Sequence, residues 1–343
     1  MKHKLFGHSG LRVSEICLGT MTFGTEWNWG ADYDDSKLIF DAFAEAGGNF
    51  IDTANRYTEG SSERFVGDFI HSDRDHFVLA TKYSLYDSKK GDLNFGGNHR
   101  KNLIRSVETS LKRLNTEFID VLWLHAWDFT TPEAEVMRAL DDLVRSGKIN
   151  YIGVSDSPAW VIAQSNMLAE LRGWTRFIGL QVEYSLLQRT VERDLLPMAK
   201  HWDMAVTPWA PLAGGALTGK YLKNTEEPKR LAGNSKRLLD KNALIAAAVV
   251  EIAEKMGVTP AQVALNWVRQ KGNLMIPVLG ARKLSQLQDS LGCLSFVLPE
   301  ETMQQLDAIS AVEMGFPHDF LSSDGVREVL FGGAFPNLEN HRK

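Results

Sequence analysis

NFIDTA (residues 49–54) leads through NRY (55–57) to Tyr57, FVLATK (77–82) ends on Lys82, and FIDVLWLH (118–125) ends on His125; the first run also carries Asp52. Each run has the apolar, β-branched character of a buried strand, and each places chemistry near its carboxyl end. Parallel strands closed into a barrel present those ends on one face, so a carboxylate, a phenol, an amine and an imidazole are expected to meet there. Working outward, ICLGT (16–20), INYIGVS (149–155), GLQVEY (179–184), MAVTPWAP (204–211) and MIPVLGA (275–281) read as further strands. Helical patterns begin near Asp35, Ser62, Asn98, Thr131, Ser157, Val191, Leu238, Thr259, Leu284 and Pro299. Eight strands with intervening helices and two extra helices predict a (β/α)8 TIM barrel, an α/β fold. KLFGHSGLRVSE (4–15) reads as an N-terminal β-hairpin turned at Gly7 to Gly10. A doubly wound open sheet is the second choice, but no Gly-x-Gly-x-x-Gly follows an early strand.

Thr131-Pro132, Ser157-Pro158 and Thr259-Pro260 each predict a hydroxyl at a helix N-cap and a proline at the first helical position. No composition break marks a linker, so residues 1–343 read as one barrel domain, with 311–343 as a C-terminal loop or lid extension, or a subunit contact. At 44% hydrophobic and 24% charged residues, the chain can bury its own core. Two cysteines, Cys17 and Cys293, both in apolar stretches, leave no basis for a disulfide framework or a cysteine-built metal site. The amino terminus, MKHKLFGHSG, lacks the apolar segment of a signal peptide, and no run is long enough to cross a bilayer. A soluble, cytoplasmic protein is expected. A net charge of −5 gives no general attraction to nucleic acid or anionic lipid.

Taken singly, Asp52 reads as a turn cap, Tyr57 as a loop aromatic, Lys82 as a solvated amine and His125 as a satisfied core histidine. Together at matching strand ends they read as a catalytic site in which a nearby cation makes a tyrosine acidic enough to donate a proton near neutral pH.

DTANRYTEGSSERFVG, FVLATK, DVLWLH, GKINYIGVSD, LQVEYSLL, PWAPLAGGALTGKY and IPVLGARKLSQLQDSL, in this order and spacing, resemble the aldo-keto reductases from about Leu5 to Ile309. The likeness is greatest to bacterial reductases that share their outline with potassium-channel β subunits. The resemblance implies that Tyr57 is the general acid, that Lys82 lowers the phenol's pKa, that Asp52 holds the lysine and that His125 orients the substrate carbonyl. It also implies a nicotinamide cofactor, since no side chain supplies a hydride. Gly19, Thr20 and Met21 fall at the cofactor, Ser155, Asp156 and Gln181 at the carboxamide, and Trp209 under the nicotinamide ring, followed by Ala210 and Pro211. Asparagine is usual where Asp156 stands, tyrosine where Trp209 stands, and asparagine where Ser290 stands.

Gly214 to Lys220 match Gly-x-x-x-x-Gly-Lys, but Tyr221 replaces the Ser or Thr that a P-loop uses to ligate magnesium. The better reading is a glycine loop folding over a pyrophosphate, with Leu212 and Gly214 touching it. Gly280, Arg282, Gln286, Asp289 and Ser290 resemble an adenosine site. The planar donors of Arg282 suit a ribose 2′-phosphate, so NADP(H) is preferred over NAD(H). Trp27, Trp29, Tyr83 and Trp127, with Met21, are expected to line the mouth and suit an apolar or aromatic carbonyl.

These residues predict an NADP(H)-dependent carbonyl reductase acting on a small-molecule aldehyde or ketone, without metal, as monomer or homo-oligomer. A slow, nicotinamide-binding channel-associated β subunit is the alternative. A lyase using Lys82 as a Schiff base is opposed by Asp52, which keeps the amine protonated. A metal-dependent hydrolase is opposed by the want of ligand-spaced histidines and carboxylates.

Overall fold

The computed structural model describes residues 1–87, 91–222, 231 and 234–339. Strands β1 (His3–Leu5) and β2 (Arg12–Ser14) form an antiparallel hairpin. Eight further strands follow: β3 (Cys17–Gly19), β4 (Phe50–Asp52), β5 (Val78–Tyr83), β6 (Ile119–Leu124), β7 (Ile149–Ser155), β8 (Phe177–Glu183), β9 (Ala205–Trp209) and β10 (Val278–Leu279). All their ladders are parallel, in the order β10-β3-β4-β5-β6-β7-β8-β9. An isolated parallel bridge from Val206 to Met275 brings β9 beside the segment leading into β10, so the sheet nearly closes. The fold is the expected (β/α)8 barrel with its N-terminal hairpin.

Helices α1 (Tyr33–Glu45), α2 (Ser61–Ile70), α3 (Arg100–Arg113), α4 (Glu133–Arg145), α5 (Ala159–Arg172) and α6 (Leu195–His201) separate β3 to β9 in turn. The stretch from β9 to β10 holds α7 (Asp240–Met256) and α8 (Pro260–Gln270), and β10 is followed by α9 (Leu284–Leu291) and α10 (Glu300–Ile309). The two extra helices are therefore α7 and α10. Among the described residues no helix is long and apolar enough to cross a membrane.

Aromatic side chains fill the barrel beneath the carboxyl ends of the strands. Phe6, from the hairpin, meets Phe50 and Trp123 edge to face at 5.5 and 6.0 Å, a favoured ring geometry. Trp123 sits beside Lys82 on one strand and Gly153 on the other. A Cβ at Gly153 would lie 2.3 Å from the Trp123 ring, and one at Gly179 would lie 2.7 Å from Phe6. The strands have surrendered two side chains so that one indole can fill the interior. The result is a close-packed floor under Lys82.

Thr259 forms the full capping box on α8, its hydroxyl accepting from the Gln262 N–H. Thr131 and Ser157 do not cap. The prolines after them are themselves the N-caps of α4 and α5, and the two hydroxyls donate instead to Asp128 Oδ2 at 2.8 Å and the Ser155 carbonyl at 2.9 Å. The C-terminal segment forms two short helices, α11 (His318–Ser322) and α12 (Asp324–Phe331), where a loop was expected. No residue from 311 to 339 is buried. Residues 340–343 of the expected extension lie outside the described residues.

Candidate active site

The site begins with an alternation. Along β5, Val78, Ala80 and Lys82 face the barrel interior while Leu79, Thr81 and Tyr83 face the helices. Lys82 is therefore carried up the inside of the barrel to its carboxyl end and is 1% exposed. Its ammonium donates to Asp52 Oδ2, to the Thr53 carbonyl at 2.9 Å and to the Tyr57 hydroxyl at 3.1 Å. Three donors meet three acceptors, so the buried cation is fully hydrogen-bonded. Asp52 accepts on its other oxygen from Gln181 Nε2 at 3.1 Å. The carboxylate thus has a partner on each side.

These contacts set the protonation states. Burial alone would depress the Lys82 pKa, but Asp52 and then Tyr57 overcome it and hold the amine above its usual value. For Tyr57 the balance differs from the expectation of an acidified phenol. Burial raises its pKa, Lys82 opposes this, and Asp52 adds to the rise, leaving the net value above the ordinary 10.0. The low-dielectric surroundings outweigh the cation, so Tyr57 is held as the protonated phenol. His125 is pushed well below 6.5, first by burial and then by Lys82, and is neutral near pH 7. Its Nδ1 is buried and has no hydrogen-bond partner among the described residues. The His125 and Tyr57 rings stand edge to face at 5.9 Å.

The loop after β4 holds Tyr57 by contacts that no local sequence pattern announces. Thr58 and Glu59 both have positive φ, 44° and 52°, a costly state for residues with side chains. Thr58 donates to the Phe23 carbonyl at 2.6 Å, and Arg113 donates to the Asn55 carbonyl at 2.9 Å and to Glu63 at 3.1 Å. Glu63 is fully buried and also accepts from Thr81. Arg113 and Glu63 are positioning residues contributed by α3 and α2. Arg113 lies 56 positions beyond Tyr57, and no local pattern links the two.

The family model described as "Aldo/keto reductase family" matches residues 15–311. The chain belongs to this family. Norsolorinic acid reductase A of Aspergillus parasiticus is 38% identical over 329 residues, covering 93% of this chain and 84% of its own. Aldo-keto reductase ausK of Aspergillus calidoustus is 35% identical over 330 residues, 92% of this chain and 83% of its own. A Saccharomyces cerevisiae protein named "Probable aryl-alcohol dehydrogenase AAD4" is 39% identical over 299 residues, 83% of this chain and 91% of its own. As an aldo-keto reductase the protein is an oxidoreductase acting between carbonyl and alcohol, in a family that generally uses nicotinamide cofactors.

Around Lys82 and Asp52, the ends of β3, β7, β8 and β9 bring together most of the residues expected at a cofactor. Ser155 pairs with Gln181 across β7 and β8, and Glu183 with Trp209 across β8 and β9. Trp209 Nε1 donates to Asp156 Oδ1 at 3.2 Å. Asp156, Ala210 and Ala213 all have positive φ, of 41°, 51° and 50°. Positive φ thus recurs in the loops that follow β7 and β9. Thr20 donates to the Asp52 carbonyl at 3.0 Å and Thr22 to the Ala281 carbonyl at 2.6 Å, fixing the Gly19–Met21 turn between its neighbours. A Cβ at Gly280 would have Gly19 O as its near neighbour at 3.8 Å, so the backbone there is open to a ligand.

The glycine loop has two cations beside it. A Cβ at Gly215 would lie 3.1 Å from Lys220 Nζ, and one at Gly214 would lie 3.2 Å from Arg237 Nη1. Arg237, which no sequence motif marks, also pairs with Glu183 at 2.5 Å. At the far end, Gln286 Oε1 accepts from the Arg282 backbone N–H at 3.0 Å, and the Arg282 side chain is half-buried. Asp289 is placed otherwise than expected: it turns from the rim into α8, accepting from Thr259 Oγ1 and Gln262 Nε2, both at 3.2 Å. Ser290 beside it is buried.

Trp27 and Trp29 stand 5.7 Å apart, and Trp27 meets Tyr57 edge to face at 6.4 Å. Trp127 is half-buried above the core. Tyr83 does not reach the mouth. The alternation that turns Lys82 inward turns Tyr83 outward, where it is fully buried against the helices with its hydroxyl donating to the Asn98 carbonyl at 3.4 Å. Among the described residues no group of three or more His, Cys, Asp or Glu is gathered as metal ligands.

Proposed function

We propose that the protein reduces an aldehyde or ketone with NADPH, reversibly, and that Tyr57 is the general acid. The observation supporting this most is the buried Asp52–Lys82–Tyr57 chain, with every Lys82 proton committed. Because Lys82 donates to the phenol oxygen, the phenol's own proton points elsewhere, toward the mouth. Tyr57 gives that proton to the carbonyl oxygen as negative charge develops on it, and Lys82 stabilises the phenolate that remains. Asp52, steadied by Gln181, keeps Lys82 charged and in place. Neutral His125 offers a hydrogen bond to the carbonyl and fixes its angle. The nicotinamide, when bound, supplies the hydride.

The donor set fits such a cofactor. Ser155, Asp156 and Gln181 take the carboxamide and Trp209 the ring. Gly19, Thr20, Met21, Ala210, Pro211, Leu212, Gly214 and Lys220, with Arg237, surround the pyrophosphate. Gly280, Arg282 and Gln286 hold the adenosine end, and Arg282 favours NADP(H) over NAD(H) through the 2′-phosphate. Asp289 and Ser290 support this end from behind. Trp27, Trp29 and Trp127 favour an aromatic carbonyl, in keeping with the aryl-alcohol in the name of one relative. Titration with NADPH and NADH, followed by tryptophan quenching, and then aromatic aldehydes watched at the reduced-nicotinamide band, tests the reading. Tighter NADPH binding with turnover is expected. Binding of neither form would overturn it.

A further inference from the structure

Asp156 is a second carboxylate at the carboxyl end of the barrel, immediately after β7, and unlike Asp52 it is exposed. Its hydrogen bond to Trp209 Nε1, 3.2 Å long, orients the indole. Desolvation lifts the Asp156 pKa above the usual carboxylate value, the Trp209 hydrogen bond and Lys82 oppose that rise, Glu183 adds to it, and Asp156 in turn raises the pKa of Tyr57. The φ of 41° at Asp156 aims the side chain from a backbone state that few residues with a Cβ adopt. Nothing in the proton transfer from Tyr57 uses this carboxylate.

We propose that Asp156 sets the balance between the oxidised and reduced forms of the bound nicotinamide, holding Trp209 in place while its negative charge favours the cationic, oxidised ring. This rests on the nicotinamide reading above. When a carbonyl carbon takes the hydride, two electrons and one proton, and its oxygen takes the Tyr57 proton, the nicotinamide is left with one positive charge. A fixed carboxylate nearby stabilises that product and the charge developing toward it. The reduced ring is neutral and gains nothing from the same charge. Asp156 therefore acts as a charge-setting and positioning residue that shifts the enzyme-bound equilibrium toward alcohol and oxidised nicotinamide, whereas asparagine in its place would keep only the positioning.

Affinities for NADP+ and NADPH, measured separately by equilibrium titration of the intact protein, test this without turnover. Asp156→Asn keeps an acceptor for Trp209 but removes the charge, and it is expected to weaken NADP+ about tenfold relative to NADPH. For a two-electron couple that ratio moves the bound midpoint potential by about 30 mV. Asp156→Glu keeps the charge and is expected to keep the wild-type ratio. Trp209→Phe keeps a π face but loses the indole donor, and should weaken both forms alike. An unchanged NADP+ to NADPH ratio in Asp156→Asn, in a wild-type protein that binds both, overturns the proposal and spares the nicotinamide reading. A wild-type protein that binds neither form overturns both.

Discussion

The floor of the mouth and the rim proposed to hold an adenosine are built on opposite terms. At the floor, Lys82 and Asp52 are buried and between them bond to Thr53, Tyr57 and Gln181, so each group's position is fixed before any ligand arrives. At the rim, Arg282 and Gln286 are joined by one backbone contact, Lys283 is exposed, and among the described residues the Arg282 guanidinium makes no ion pair. Chemistry needs fixed geometry, because a small misplacement of the reacting groups costs much of the rate. Recognition of a phosphate tolerates a cation that settles only on binding.

The contrast is broken most directly at Tyr57. Tyr57→Phe removes one proton donor from the floor and should lower turnover by about 10²–10⁴-fold while cofactor affinity changes little. Steady-state kinetics with a parallel titration decides this, and a variant retaining most of its rate would mean that another group is the acid. The wild-type pH profile sharpens the same point. In the proposed mechanism, reduction requires protonated Tyr57 and neutral His125. The first titrates above 10.0 and the second well below 6.5, so kcat/KM for reduction should be flat between those values. A break near 6.5 would show that His125 titrates as an ordinary histidine.

Lys82→Met tests how firmly the floor is fixed. It leaves the Asp52 carboxylate buried with Gln181 but without its cation, a change that typically costs about 3–5 kcal/mol. Denaturant unfolding should register that loss along with the loss of activity. The Lys82 pKa is raised in the fold, so the pair's stabilisation is complete below 10.5 and is lost as pH rises through the raised value. A wild-type protein that weakened between pH 7 and 9 through this pair would contradict it.

The floor was legible in the sequence because strand alternation and the shared face of a parallel barrel are strict rules. Once NFIDTA, FVLATK and FIDVLWLH are strands, Asp52, Lys82 and His125 must converge. The same rule, not carried one residue further, misplaced Tyr83. Contacts between distant segments were not legible: Arg113 is brought beneath the Tyr57 loop by the packing of α3, and Arg237 beside the glycine loop by a short turn before α7, and neither leaves a periodic trace. The cation beside Tyr57 is legible in the sequence, but the degree of burial that opposes its effect on the phenol is not.

At the rim, Arg282→Ala should weaken NADPH about 10–100-fold and NADH hardly at all, as one charge-assisted phosphate contact is worth about 1.5–3 kcal/mol. Fluorescence titration of both cofactors decides between this and a purely solvated arginine, for which both affinities would stay unchanged. High salt should diminish the difference, since the contact is made by a partly exposed charge.

Asp289 separates the two regions most finely, because it lies in the rim's sequence yet is held in the manner of the floor. Its carboxylate accepts from Thr259 and Gln262 in the capping box that starts α8, and its backbone carbonyl accepts from Gln262 at 2.9 Å. Those bonds tie α9, which carries Gln286, to the start of α8. Asp289→Ala removes the two side-chain bonds at a half-buried position and should destabilise the fold by about 1 kcal/mol while leaving NADPH affinity within about twofold. Thermal unfolding and cofactor titration of the same preparation give both numbers. If affinity fell tenfold with no loss of stability, Asp289 would be a cofactor contact, and the rim would be organised by its ligand more deeply than α8 and α9 now indicate. If stability fell and affinity held, the helix carrying the rim is fixed by the fold, and only the side chains of Arg282 and Gln286 are left for the cofactor to order.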